Sequence, residues 1–147
     1  MDSPLRIVND EQNYQAFRSL LKSSSLPADD LNFTKDLLVG YYEDGAMVGT
    51  GALEVYGDYA LLRSLSVKLG TRGKALGTAI TEHLIAEAKK RKLKGIYLLT
   101  ETAHGFFLRK GFQDVQRDQV PDALKASSEF SHVCKDTAVA MHLDIKD

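Results

Sequence analysis

A glycine- and cation-rich turn near the middle of the chain is the segment best suited to bind a charged ligand. From Val67 to Thr78 the sequence reads VKLGTRGKALGT and joins a strand-like apolar run to a helix-like amphipathic run. Backbone N–H groups at the start of a helix bind anions, and the helix dipole strengthens that binding. Glycines let the backbone approach a phosphate closely, and Arg72 and Lys74 add positive charge. The turn therefore predicts a pyrophosphate site, with an ordinary strand-to-helix connection as the alternative.

The turn does not fit two common nucleotide-binding patterns. It lacks the Gly-Lys-Ser/Thr ending of a P-loop, and the chain contains no Gly-x-Gly-x-x-Gly fingerprint at this place. The strand before it also belongs to a run of antiparallel-looking strands and not to a βαβ unit. The elements around the turn are therefore needed to say which ligand it serves.

Three strands are predicted before the turn and one long helix after it. The hairpin signals Asp44-Gly45 and Gly57-Asp58 separate the strands. The strands are Leu37–Glu43, Ala46–Tyr56 and Tyr59–Val67. After the turn, apolar residues recur every four positions from Leu76 to Ala88, which predicts an amphipathic helix over 74–91.

The rest of the chain predicts shorter elements. They are a strand at 5–8, a helix at 11–22 capped by Asn9 or Asp10, a short helix capped by Asp29 or Asp30, strands at 96–99, 112–115 and 139–143, and helical segments at 103–110 and 121–127. This order predicts one mixed α/β domain with a single sheet over residues 1–147.

Two motifs in this order resemble those of the GNAT acetyltransferases. The run from Arg72 to Gly77 matches their cofactor motif Gln/Arg-x-x-Gly-x-Gly/Ala, except that Ala75 replaces the first motif glycine. A second family pattern is Asn-x-x-Ala-x-x-x-Tyr-x-x-x-Gly-Phe. Its places are held here by Thr100, Ala103, Phe107, Gly111 and Phe112. The resemblance implies the GNAT fold, a mostly antiparallel sheet of six or seven strands that splays between the fourth and fifth, with about four helices.

The resemblance also implies acetyl-CoA as acetyl donor, with its pantetheine arm in the splay and its pyrophosphate on the turn. Backbone groups of Leu65 and Val67 would pair with the arm, and the Val67 N–H would donate to the reacting oxyanion. The residues expected to contact acetyl-CoA are Leu65, Ser66, Val67, Arg72, Gly73, Lys74, Ala75, Leu76, Gly77, Thr78 and Phe106.

A narrower resemblance points to the arsenic-resistance N-acetyltransferases. It rests on residues 61–67 and 98–107, with Pro121, Phe130 and Cys134. That group acetylates the α-amino group of arsinothricin and, in some members, phosphinothricin. Lys135 stands where many members have a proline. The implied acceptor is a small glutamate-like amine, and the alternatives are another primary amine or a non-catalytic acyl-CoA-binding sensor.

Arg63 is the leading substrate-binding candidate, because it lies in an otherwise apolar strand. A guanidinium binds a carboxylate or phosphinate with two hydrogen bonds, although pairing with a nearby Asp or Glu is the alternative. Ser64 could donate to the same anion. Thr100 and Thr102 would either bind substrate or cap the following helix.

The proton-transfer groups are less clear. Phe107 occupies the place of the family's tyrosine acid and has no proton to give. Glu54, Glu101 and His104 remain as candidates, and Glu54 is separated from Arg63 by a short hairpin, so the two are expected to face one cleft. Transfer through water would make a strong side-chain base unnecessary.

The composition sets the broad class of protein. The formal net charge is −1 and charges alternate in sign, so neither nucleic acid nor a membrane is an expected partner. A single cysteine, Cys134, cannot form an internal disulfide, which favours a cytoplasmic setting. His83 and His132 have no metal-ligand spacing, so no metal is predicted. Family resemblance suggests a homodimer.

Overall fold

The computed structural model describes residues 4–24, 26, 31–68, the backbone of 73–75, and residues 76–125 and 138–145. In chain order the elements are β1 (Leu5–Ile7), α1 (Glu11–Ser23), β2 (Leu37–Glu43), β3 (Ala46–Tyr56), β4 (Tyr59–Val67), α2 (Gly73–Lys90), β5 (Gly95–Thr100), α3 (His104–Arg109), β6 (Gln113–Asp114), a 3₁₀ turn (Arg117–Gln119), α4 (Asp122–Lys125) and β7 (Val139–Asp144).

One sheet contains all seven described strands, in the order β1-β2-β3-β4-β5-β7-β6. Neighbouring strands are antiparallel except β4 and β5, which are parallel. The turns between β2, β3 and β4 contain Asp44, Gly45 and Gly57 at positive φ, as tight hairpins require. Together with the four helices of the described residues, this confirms the predicted mixed α/β fold.

The parallel pair β4 and β5 separates soon after it forms. Tyr59–Leu61 pair with Gly95–Tyr97, and the ladder between the two strands ends there. β5 continues to pair with β7 as far as Thr100 and Val139. From Leu62 onward, no described strand covers the β5-facing edge of β4. The splay expected between the fourth and fifth strands is therefore confirmed.

The two faces of the sheet are packed differently. On the α2 and α3 face, one continuous core contains Ile80, Leu84 and Phe107 among its members. The opposite face holds two separate apolar clusters, one around Phe17 of α1 and one around Leu124 of α4. Helix–sheet packing on both faces thus leaves the parted ends of β4 and β5 between α1 and α3.

The helix boundaries agree with the local sequence signals. Asp10 caps α1 by accepting a hydrogen bond of 2.8 Å from the Asn13 N–H. The cap residues proposed for a second helix, Asp29 and Asp30, lie outside the described residues, and residues 33–35 form a turn. α4 covers four residues of the predicted 121–127 segment. None of the helices in the described ranges is long and apolar enough to cross a bilayer.

Candidate functional site

The opening between β4 and β5 forms a cleft of about 220 Å³. Its walls come from residues 62–65 of β4, residues 98–103 at and after the end of β5, and the side chains of Leu26, Phe107 and Ala138. Five predicted substrate or cofactor residues therefore line one cavity, namely Arg63, Ser64, Leu65, Thr100 and Thr102.

A bulge in β4 shapes one wall of this cleft. Thr50 is opposite Ser66 and Ala52 is opposite Arg63, so two residues of β4 face the single Gly51 of β3. Ser64 takes φ 64°, a left-handed conformation that is uncommon for serine. The Thr50 hydroxyl fixes the bulge by donating a hydrogen bond of 2.7 Å to the Ser64 carbonyl.

The bulge turns main-chain donors toward the opening. The C=O and N–H of one trans peptide unit point in opposite directions, so the Leu65 N–H points away from Thr50. The Lys68 N–H donates to the Val48 carbonyl at 2.8 Å and therefore points toward β3. Because successive N–H groups of a strand alternate between its edges, the Val67 N–H points the other way. The edge of β4 beside the cleft thus presents the amides of Leu65 and Val67.

The long helix α2 begins close in sequence to this edge. Its first residue is Gly73, five positions after Lys68, and its first turn contains no acidic residue to neutralise the positive end of the helix dipole. Leu76 and Gly77 are buried, and Thr78 is half-buried. Arg72 lies outside the described residues, and of Gly73, Lys74 and Ala75 only the backbone is described. A helix start next to an open strand edge fits a ligand that carries both amides and a diphosphate.

Arg63 and Glu54 form an enclosed ion pair beside the cleft. Arg63 Nη1 donates to Glu54 Oε1 at 3.0 Å, and the two side chains are 0% and 4% exposed. The Tyr56 hydroxyl donates to the other oxygen of Glu54, also at 3.0 Å. The structure brings the two predicted residues together, and it shows the alternative in which the guanidinium pairs with a strand carboxylate. Binding of a substrate anion by Arg63 stays a prediction.

Asp36 adds a second buried carboxyl to this region. Burial raises the pKa of the Asp36 carboxyl, and the charge of Glu54 raises it further. A hydrogen bond from the Asn32 N–H and the charge of Arg63 oppose that rise. Asp36 is buried as Glu54 and Arg63 are, and the charges of both act on its pKa. Asp36 was not among the predicted site residues, since nothing in the local sequence pattern marks it as buried.

The polar side chains along the cleft have different partners. Thr100 Oγ1 accepts a hydrogen bond of 2.9 Å from the Ala103 N–H, so it caps the turn before α3 as well as lining the cleft. The hydroxyl of Ser64 is buried and has no hydrogen-bond partner among the described residues. Ser66 Oγ lies 2.5 Å from Ser24 Oγ and ties the end of α1 to β4.

Of the three α3 residues considered above, Phe107 lines the cleft and His104 and Phe106 do not. His104 Nε2 is 2.6 Å from Asp114 Oδ1, and this exposed pair does not line the cleft, so a catalytic role for His104 stays a prediction. Phe106 packs toward α2, where a Cβ at Gly77 would lie 3.6 Å from its ring. Phe107 is buried at the base of the cleft. Phe130 and Cys134 lie outside the described residues.

Comparison with known proteins agrees with this architecture. The acetyltransferase (GNAT) domain family matches residues 34–114. An amino-acid acetyltransferase of Mycobacterium tuberculosis is 31% identical over 104 residues, which are 69% of this chain and 56% of that protein. The chain thus spans just over half the length of this curated relative.

Solved structures share the fold at low sequence identity. N-acetylglutamate synthase from Neisseria gonorrhoeae, complexed with coenzyme A and N-acetyl-glutamate, superposes with a TM-score of 0.76 at 14% identity. That match covers 100% of this chain and 36% of the synthase. A GNAT-family acetyltransferase from Staphylococcus aureus Mu50 gives a TM-score of 0.77 at 16% identity and covers 97% and 99% of the two chains. With the family match over more than half of its length, the parted strands and the helix that follows them, the chain belongs to the GNAT acetyltransferase family, whose acetyl donor is acetyl-CoA.

Proposed function

We propose that this chain transfers an acetyl group from acetyl-CoA to the amino group of a small amino acid. The observation that carries the proposal is the separation of β4 from β5 beside the start of α2. The similarity to an amino-acid acetyltransferase, of which the chain spans 56%, supports an amino acid as acceptor.

The open edge of β4 would hold the pantetheine arm. That arm contains amide groups, so it can pair with a strand edge as an added strand does. The N–H groups of Leu65 and Val67 point into the opening, and the Leu65 N–H would supply a donor for the arm. The first turn of α2 would then hold the diphosphate through its N–H groups and dipole. The segment 69–72 between them is part of the same proposal.

The chemical step forms a C–N bond and breaks the C–S bond of the thioester, and CoA leaves as the thiol. Bound acetyl-CoA supplies the activated carbonyl. The Val67 N–H would donate to the carbonyl oxygen as negative charge develops there. The neutral amine loses one proton, and the departing CoA thiolate gains one to become the thiol. Of the three predicted acceptors of that proton, Glu101 lines the cleft and could accept it there. Glu54 and His104 do not line the cleft, so the proton would reach either of them through water.

A narrower proposal makes the acceptor a glutamate analogue such as arsinothricin or phosphinothricin. Its support is the resemblance in residues 61–67 and 98–107 and the position of Arg63 at the cleft. An acidic acceptor would compete with Glu54 for the Arg63 guanidinium, while Thr102 lines the same cavity. Cationic polyamines gain nothing from such a site, so they serve as the contrasting acceptors.

The experiment is a thiol-release assay with acetyl-CoA and a panel of the protein amino acids, phosphinothricin, arsinothricin and spermidine. We expect turnover with at least one amino acid and none with spermidine, with the acetylated product identified by mass spectrometry. Binding of acetyl-CoA without turnover of any amine would instead support the alternative interpretation, a non-catalytic acyl-CoA-binding sensor.

A pair of substitutions at Val67 tests the main-chain donor itself. Val67→Pro removes the N–H, whereas Val67→Ala keeps it and removes most of the side chain. Because this N–H points away from β3, its loss breaks no bond of the β3–β4 ladder. We expect Val67→Pro to lower kcat by about 10²–10³-fold relative to Val67→Ala. Equal kcat values for the two variants would exclude the Val67 amide as the donor.

A further inference from the structure

Helix α2 rests on the sheet at two glycines of β3. A Cβ added at Gly49 would lie 2.8 Å from Cδ1 of Ile80. One added at Gly51 would lie 2.5 Å from Cγ2 of Ile80 and 3.0 Å from Cδ1 of Leu84. Ile80 and Leu84 are both fully buried, so neither can swing aside into solvent. A side chain at either position therefore requires the buried side chains of α2 to repack or α2 to move away from the sheet.

The residue between the two glycines acts on the cleft. Thr50 points to the opposite face of the sheet and is completely buried, and its hydroxyl holds the Ser64 carbonyl of the bulge. Gly49 also pairs directly with Val67, whose amide faces the opening. The segment Gly49–Thr50–Gly51 thus contacts both the helix and the strand that border the site.

We propose that Gly49 and Gly51 are positioning residues, which set how deeply α2 sits on β3 and so place its first turn relative to the Leu65 and Val67 amides. This inference rests on the proposed function, because one rigidly spaced ligand would have to reach both the strand edge and the helix start. Moving α2 outward separates the two halves of that site. The added methyls would meet β4 only at ordinary contact distances, 3.5 Å from the Ser66 carbonyl oxygen at Gly49 and 3.9 Å from Cδ1 of Leu65 at Gly51. A mere packing role for the glycines would affect stability and leave ligand affinity unchanged.

The overlap at each glycine involves a different atom of Ile80, and this gives a selective test. Ile80→Val removes Cδ1, the atom that a Gly49 methyl would meet, and keeps the Cβ branch that a Gly51 methyl would meet. Ile80→Val should therefore rescue Gly49→Ala and leave Gly51→Ala unrescued. The measurements are the Kd of CoA by calorimetric titration, the KM values for acetyl-CoA and acceptor, and the Tm.

Gly40→Ala is the matched control. A Cβ there would lie 2.7 Å from Cε of Met47, an overlap as close as that at Gly49. Its neighbours are the side chains of Met47 and Tyr42, the latter at 3.2 Å, on the face of the sheet opposite α2. Met47 is flexible and only partly buried beside the α1 cluster, so it can move without displacing α2. We expect Gly40→Ala to bind CoA as the wild type does.

We expect Gly49→Ala to raise the Kd of CoA by about tenfold, since small displacements of a binding group are costly. Adding Ile80→Val should restore the Kd to within about threefold of that of Ile80→Val alone, whereas Gly51→Ala/Ile80→Val should stay about tenfold weaker. A Gly49→Ala protein with a lower Tm but an unchanged Kd overturns the inference. A raised Kd that Ile80→Val does not restore overturns it too.

Two further comparisons keep the outcomes distinct. If Gly49→Ala does not fold, the two double variants are compared with Ile80→Val, and equal CoA affinities for both doubles would overturn the inference. A wild-type chain that binds no CoA refutes the proposed function itself, whatever the glycine variants do.

Discussion

Replacing Glu54 by leucine would leave the Arg63 guanidinium enclosed in the protein without its carboxylate partner. The side chains are 0% and 4% exposed, so solvent cannot compensate for the lost charge. Removing one partner of a buried pair costs about 3–5 kcal/mol. Asp36, whose pKa the charge of Glu54 helps to raise, ionises more readily in the variant and offsets part of that cost. We therefore expect a loss near 3 kcal/mol, or a Tm lower by on the order of 10 °C.

Urea denaturation of a double-mutant cycle measures this cost. Arg63→Met leaves Glu54 without the guanidinium and should cost about as much as Glu54→Leu. The double variant Glu54→Leu/Arg63→Met replaces the pair with apolar side chains and should lose no more than about 1 kcal/mol. Single losses below about 1 kcal/mol, the range of exposed pairs, would refute the reasoning. A double variant whose loss of unfolding free energy equals the sum of the two single losses would refute it too.

The same double variant separates the structural role of Arg63 from a binding role. If Arg63 binds the acceptor anion, the folded double variant should have a raised KM for the amino acid and an unchanged KM for acetyl-CoA. Glu54→Leu/Arg63→Lys is the matched variant, because it restores a cation without the guanidinium geometry. Equal changes in both KM values would count against the predicted binding role.

Three further substitutions test other features of the site. Asp36→Asn keeps an acceptor for the Asn32 N–H but cannot ionise, and the raised pKa of Asp36 means that its ionisation opposes folding as pH rises. The free energy of unfolding of Asp36→Asn minus that of the wild type, measured by urea denaturation, should therefore be larger at about pH 7 than at about pH 3. A difference that does not change with pH would contradict this. Gly77→Ala should stabilise α2 by about 0.5–1 kcal/mol, because its methyl meets the Phe106 ring at an ordinary distance. The same variant should raise the KM for acetyl-CoA, and an unchanged KM would mean that Gly77 does not border the ligand. Ser64→Val should cost about 1–2 kcal/mol more in unfolding free energy than Ser64→Gly, since a β-branched residue is strained at φ 64°, and equal stabilities would disprove that strain.

The strands around the site were predictable because local turn chemistry marks their ends. Asp44-Gly45 and Gly57 take the positive φ values that hairpins need, and the three strands they separate begin and end where the sequence predicted. The parting of β4 from β5 came from the family resemblance alone. Strand pairing joins residues distant in sequence, so hydrophobic patterning cannot show where a ladder stops.

The details of the site depended on tertiary contacts. Ser64 adopts a left-handed conformation that its residue type does not suggest, and Thr50 from the neighbouring strand holds it there. The nearness of Glu54 to Arg63 followed from the hairpin between them, but their complete burial depends on how the helices cover that face. The Gly-Thr-Gly run inside β3 is a sequence signal of close backbone approach, although it does not show which element comes close.

Backbone amide exchange, measured with and without CoA, tests the central claim most directly. CoA should slow hydrogen exchange at Leu65 and the first turn of α2, and acetyl-CoA should slow it at Val67 as well, because those N–H groups would become hydrogen-bond donors to the ligand. The amide of Gly45, in the hairpin between β2 and β3, is the internal reference and should exchange at the same rate in both states. Saturating acetyl-CoA binding with unchanged exchange at Leu65, Val67 and the start of α2 would contradict the account.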